Sequence, residues 1–267
     1  MKRLLIGVAI VVAAVGTATA APMDDARAAL QRKDYATALR IWQTQSELGD
    51  LVARTNVGFL YESGDGVERD YGEAAKWYRR AADQGHAPAE FQLAFLYLNG
   101  RGVPKNEEEG AKWIRRAAER GYLPAQDVLG KLHEAGQGVP KDAAEAAKWY
   151  RAAAEKGHAP AAFGLGLLYD DGKGVPQNPV EAAKWYSMAA DRGFPRPQNN
   201  LGAMYAAGSG VARDYVQAHK WYNLAASREG DPATREIFAK NRDRAAAKLS
   251  PAQLGEAQRL AKEWKPK

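Results

Sequence analysis

No cysteine occurs anywhere in the 267 residues, so a small scaffold stapled by disulfides is excluded and packing alone must hold the chain together. Histidine is scarce. His86, His133, His158 and His219 are the four present, and none has a second histidine three or four residues away, the spacing by which one helix face grips zinc. Neither a Ser-x-x-Lys nor a Gly-x-Ser-x-Gly pattern is found, so the usual serine acylation signatures are missing. Blocks of like charge are also lacking. The 38 basic and 32 acidic residues, net +6, neighbour one another as in Glu119-Arg120 and Asp191-Arg192, which leaves nucleic acid without an electrostatic footprint. No apolar run reaches the roughly 20 residues that span a bilayer. The composition, 46% hydrophobic and 26% charged, is that of an ordered globular chain long enough for one large core or a repeat array.

The longest apolar run, Leu4 to Gly16, follows Met1-Lys2-Arg3 and precedes Ala18-Thr19-Ala20. A positive start, a short apolar stretch and an Ala-x-Ala end describe a secretory signal over residues 1–20. No cysteine follows it, so no lipid is attached there. The mature protein is accordingly expected in the periplasm or secreted, with no membrane span after signal removal.

What the sequence does have is a period. Trp77, Trp113, Trp149, Trp185 and Trp221 lie 36 residues apart, and so do Gly64, Gly100, Gly136, Gly172 and Gly208, each followed two residues later by another glycine. Self-similarity at such an interval marks a repeat array. Apolar-periodic stretches flank each glycine pair, which reads as helix, tight loop, helix. Asp70, Asn106, Asp142, Asn178 and Asp214 are each followed three residues on by Glu or Gln, the capping-box signature of a helix start. A small residue recurs in the first helix at Gly58, Ala94, Gly130, Gly166 and Gly202 and admits a close partner helix, for which alanine pairs such as Ala153-Ala154 are suited. The once-per-unit tryptophan, Trp149 for example, reads as core. The register continues upstream, since Asp34, Ala38 and Gly49 precede Asp70, Ala74 and Gly85 by 36 residues. The organisation expected is a capping helix pair over 21–49, five repeats over 50–230, and atypical capping helices over 231–267.

Segments such as Ala161-Ala-Phe-Gly-Leu-Gly-Leu-Leu-Tyr169, Gly172-Lys-Gly-Val175 and Glu181-Ala-Ala-Lys-Trp-Tyr186 resemble the Sel1-like repeat family. The resemblance implies an all-α fold, a right-handed superhelical solenoid of antiparallel helix pairs related to tetratricopeptide arrays. It also implies a binder of partner proteins, often an adaptor or regulator. Cysteine-rich members of the family have been linked to β-lactam binding or hydrolysis, and this chain lacks their cysteines.

Catalysis needs residues placed off the repeat rule, and most polar candidates obey it. Glu73, Glu109, Glu145 and Glu181 each precede a lysine by three residues, a helical ion-pair spacing. Gly172-Lys173-Gly174 lacks the Ser or Thr that a phosphate-binding loop places after its lysine. No catalytic residue, metal or cofactor is therefore expected. The reading is a scaffold that binds protein in the cell envelope as a monomer; the competing one is a cell-wall-directed hydrolase, β-lactamase-like, or a carbohydrate-binding envelope factor. Taking Ala89, Leu93, Leu96 and Tyr97 as the buried arc of a first helix leaves 91, 95 and 98 opposite at about 100° per residue. That face holds Phe91, Phe95 and Leu98, with Phe59, Lys131, Phe163 and Leu167 at equivalent places. These seven are the expected partner-binding residues, since exposed apolar patches mark interaction surfaces; the alternative for position 91 is that stacking buries it against the next unit, which makes Phe91 and Phe163 core. Export is expected to cleave after Ala20, and the intact mass of the exported protein checks it. A chain still beginning at Met1 in the membrane fraction would show a retained anchor instead.

Overall fold

The computed structural model describes residues 20–267; the segment read as an export signal lies outside the described residues apart from Ala20. Fourteen helices and no strand occur among the described residues, and they fall into two compact units.

The first unit comprises 20–125 with 137–139. It holds α1 (Ala20–Gln31), α2 (Tyr35–Glu47), α3 (Leu51–Ser63), α4 (Tyr71–Ala82), α5 (Ala87–Asn99) and α6 (Glu107–Glu119). The second comprises 126–136 and 140–267. It holds most of α7 (Leu123–Ala135), then α8 (Ala143–Ala154), α9 (Ala159–Asp171), α10 (Pro179–Asp191), α11 (Pro195–Ala207), α12 (Tyr215–Arg228), α13 (Pro232–Ala246) and α14 (Pro251–Glu263). Within each unit helices pack on their neighbours in sequence, as in a solenoid, and α14 returns to pack on α12. There the Trp264 ring meets the Trp221 ring edge-on at 6.2 Å.

Each second helix starts at an Asp or Asn whose side chain accepts from backbone N–H groups of the first turn, as Asp142 does from Ala144 and Glu145. The reciprocal half of the box is not formed in the repeats. Here the cap residue's own N–H is already used: Asp70 donates to the Tyr61 carbonyl, Asn106 to Tyr97, Asp142 to His133, Asn178 to Tyr169 and Asp214 to Tyr205, all at 2.9–3.0 Å. Each loop is thus tied across its mouth to the helix before it. The glutamate that the box would have used turns to lysine, Glu73 to Lys76 and Glu145 to Lys148 at 2.5 Å. Ser250 and Gln253, at α14, make both halves.

The glycine pairs do more than turn the chain. Gly100 takes the left-handed conformation (φ +66°) that ends α5. Gly102 (φ +68°) lies against the preceding repeat, where a Cβ would stand 2.2 Å from the Tyr71 carbonyl. Only glycine fits such an approach, so the loop of one repeat seats on the first turn of the second helix before it.

The tryptophans are not the deepest core. Trp77 and Trp149 are half-buried and Trp113, Trp185 and Trp221 are buried, while in the first four repeats the residue after the tryptophan is fully enclosed: Tyr78, Ile114, Tyr150 and Tyr186. One residue is about 100° on a helix, and that turn aims the tyrosine at the paired helix and leaves the indole at the margin. Trp42 takes the tyrosine's place in α2 and is also fully buried.

It is the tyrosine ring, not the alanine pair, that occupies the space left by the recurring small residue. A Cβ on Gly58 would stand 2.8 Å from the Tyr78 ring, one on Gly130 2.5 Å from Tyr150, and one on Gly166 2.7 Å from Tyr186. The hydroxyls of Tyr78, Tyr150 and Tyr186 donate to Glu62, Glu134 and Asp170. In the second repeat four positions change together. Ile114 replaces tyrosine, Ala94 replaces glycine, Leu98 replaces the acid, and Gly110, where the other repeats have alanine, makes room for Leu98. Without a hydroxyl there is nothing for a buried carboxylate to accept, and the pair becomes wholly apolar.

Tyr150→Ala is expected to cost about 3–5 kcal/mol and Trp149→Ala clearly less. Urea denaturation of both variants checks the order, and a reversed order would return the tryptophan to the core.

Candidate functional site

In the second unit α7, α9 and the start of α11 line a cavity of about 460 Å³. Three expected binding residues meet there: Lys131 from α7, and Phe163 and Leu167 from α9. Leu167 is 37% exposed, and Phe163 is half-buried with its ring 5.8 Å from that of Tyr186. The opposite wall is Phe194 to Pro197, with Phe194 43% exposed. Prolines at Pro195 and Pro197 open α11, where fixed φ values suit a first turn and leave the wall rigid. Lys131 is held by Asp127 at 2.6 Å, Glu134 accepts from the Tyr150 hydroxyl, and Arg196 is exposed. Burial, reinforced by Glu134, pushes the Tyr150 phenol far above its ordinary pKa, so it stays a donor.

The other four expected residues lie in the first unit. Phe59 and Phe95 are half-buried. Phe91 and Leu98 are buried, 6% and 8% exposed, which removes them from an open face. The single buried arc assumed for a first helix fails because α5 packs on both α4 and α6. Phe91 sits edge-on against Phe95 at 4.9 Å and Tyr122 at 5.3 Å, and Leu98 fills the space over Gly110.

Phe194, Arg196 and the Tyr150–Glu134 pair were absent from the expected set. Phe194 was detectable, because it stands where the first, second and third repeats carry His86, Tyr122 and His158, off the rule. The enclosed Glu90, held by Arg116 at 3.1 Å and Arg120 at 3.4 Å, also breaks the rule, and it ties α5 to α6.

The histidines are caps and fillers. Among the described residues no group of three or more His, Asp or Glu is placed to hold a metal ion. His86 and His158 begin α5 and α9. The Thr55 hydroxyl lies 2.8 Å from His86 Nδ1 and 2.8 Å from the Leu51 carbonyl. Donating to the carbonyl, it accepts from the ring and is no nucleophile.

These helix pairs, with loops tied across and tyrosines seated on glycines, define an all-α helical-repeat protein. The Sel1 repeat model matches residues 51–86, 87–122, 123–158, 159–194 and 198–229, and the chain belongs to the Sel1 repeat family. The chain is similar to the crystal structure of a protective antigen present in uropathogenic Escherichia coli strains, which displays an SLR fold. The two share 31% identity over 92% of this chain, with a TM-score of 0.78, and the chain spans only 53% of that protein. It also resembles a Sel1 repeat protein from Oxalobacter formigenes, 32% identical over 83% of this chain and 96% of that one, TM-score 0.71. An immunity protein from Pseudomonas aeruginosa shares the fold at 20% identity, covering 88% of this chain and 84% of its own, TM-score 0.50. A comparison with curated proteins gives no match.

Burial lowers the pKa of His86 and of His158 from the ordinary 6.5. A base with a depressed folded pKa takes its proton more readily when unfolded, so stability is present above 6.5 and declines as pH falls below it. The urea midpoint is expected to drop between about pH 7 and about pH 5, and to drop less in His86→Asn and His158→Asn. An unchanged slope in both variants would show that these rings do not couple to folding.

Proposed function

We propose that the protein is a non-catalytic scaffold of the cell envelope that holds a partner protein in the groove of its second unit, and that it acts as a monomer. The observation that carries this reading is the cavity itself. Leu167 and Phe194 stay exposed on its two walls, although a repeat protein buries such side chains where stacking permits, and exposed apolar surface framed by charge marks a docking site. Family membership supports protein binding as the general role. The envelope location rests on the signal-like residues 1–20, and no described helix is long and apolar enough to cross a membrane.

The double variant Leu167→Ser with Phe194→Ser replaces exposed groups only. It is expected to keep its helicity and melting temperature yet recover its partner at least about tenfold less well, about 1.4 kcal/mol. Mild cross-linking in the envelope, purification and mass identification provide the readout, with Phe95→Ser as a comparison in the first unit. Undiminished recovery by the double variant would overturn the assignment of the groove.

A further inference from the structure

The cavity opens where the repeat rule breaks at a single residue. In two other repeats an amide side chain stands beside the buried tyrosine hydroxyl, Gln92 beside that of Tyr78 and Asn200 beside that of Tyr186. The equivalent position beside Tyr150 is Gly164. It lies so close to the ring that a Cβ would stand 2.9 Å from Cζ, and with no side chain there Tyr150 and Glu134 become lining of the cavity. The Tyr150 ring itself stays enclosed between Gly130 and Gly164, and the half-buried Glu134 carboxylate is what the cavity offers an occupant.

The charges say which occupant. Lys131 is already matched by Asp127 at 2.6 Å. The remaining ionic groups of the lining are the carboxylates of Glu134 and Glu229 against the exposed guanidinium of Arg196. Glu134 spends one oxygen on the Tyr150 hydroxyl, and a carboxylate offers about four acceptor sites, so it can take further donors. An acidic side chain entering beside it would meet repulsion, whereas a cation gains a charge-assisted bond and ring faces to lie on. We infer that the cavity takes a basic side chain, lysine or arginine, of the docked protein, its stem against Phe163 and Leu167 and its charge at Glu134. The inference rests on the groove being the docking site.

A phage-displayed library of random dodecapeptides, selected on the full mature chain, supplies the probes. The peptides recovered should carry Arg or Lys beside apolar residues. Exchanging that basic residue for norleucine in a synthetic copy should weaken binding at least about tenfold, about 1.4 kcal/mol. The same exchange should matter little against Glu134→Gln, which still accepts from Tyr150. The norleucine comparison on the parent protein needs no variant, so it stands even if Glu134→Gln folds poorly. Acidic peptides whose binding is lost with Arg196→Gln, or peptides indifferent to norleucine, overturn the inference; the groove survives if Leu167→Ser with Phe194→Ser still abolishes binding. Peptides indifferent to that double variant, or a library without enrichment, sink the docking reading as well.

Discussion

In four of the five repeats the helix pair depends on one contact, a tyrosine ring seated on a backbone that has no side chain. At Gly58, Gly130, Gly166 and Gly202 the ring of the second helix lies where a Cβ would be, within 2.5–2.9 Å. Close packing tolerates neither a void nor an added methyl at such a place. The ring therefore sets how closely the two helices lie and at what height along each other. Its hydroxyl then decides the chemistry one turn away, because a buried phenol needs an acceptor. Glu62, Glu134 and Asp170 provide it. Burial in turn raises the pKa of Glu62 and lifts the Tyr78 phenol well above its usual value, so the pair stays donor and acceptor.

Polar backbone groups set the spacing along the array as the tyrosine sets it across a pair. In the repeats the cap residue of each second helix does not donate its own N–H to the glutamate or glutamine three residues on; it donates it to a carbonyl near the end of the first helix. This consumes a donor that would otherwise be left unsatisfied near a helix start. The second glycine of each loop then rests on the first turn of the preceding second helix, as Gly174 does on Ala143. Neighbouring repeats are thereby registered by backbone contact, which leaves the side chains of the first helices free to vary.

That freedom is used at Gly164. No amide stands beside Tyr150 there, the half-buried Glu134 lines the cavity, and Phe194 with the two prolines of α11 builds the facing wall. A position that obeys the repeat has already met its structural obligation, whereas one that departs from it without a compensating change does something else. The second repeat departs too, but its four altered residues, Ala94, Leu98, Gly110 and Ile114, compensate one another and close the core. Gly164 has no such compensation, and a cavity remains.

The sequence by itself determined the helix pairs, their caps and their loops, because these depend on residues within one 36-residue period that capping, left-handed glycine and amphipathic spacing make legible. It also placed Lys131, Phe163 and Leu167 on one face. It placed Phe91 and Leu98 on that face, where the structure buries them, and read Trp149 as core, where the structure leaves it half-buried. Those errors share a cause: a first helix is enclosed by the second helices on both sides of it, and helical periodicity reports one buried face at a time. Whether an aromatic sits at the centre of a pair or at its edge turns on about 100° of rotation against a partner distant in sequence. Only the tertiary structure could decide that, and with it the cavity, whose lining comes from four helices, α7, α8, α9 and α11.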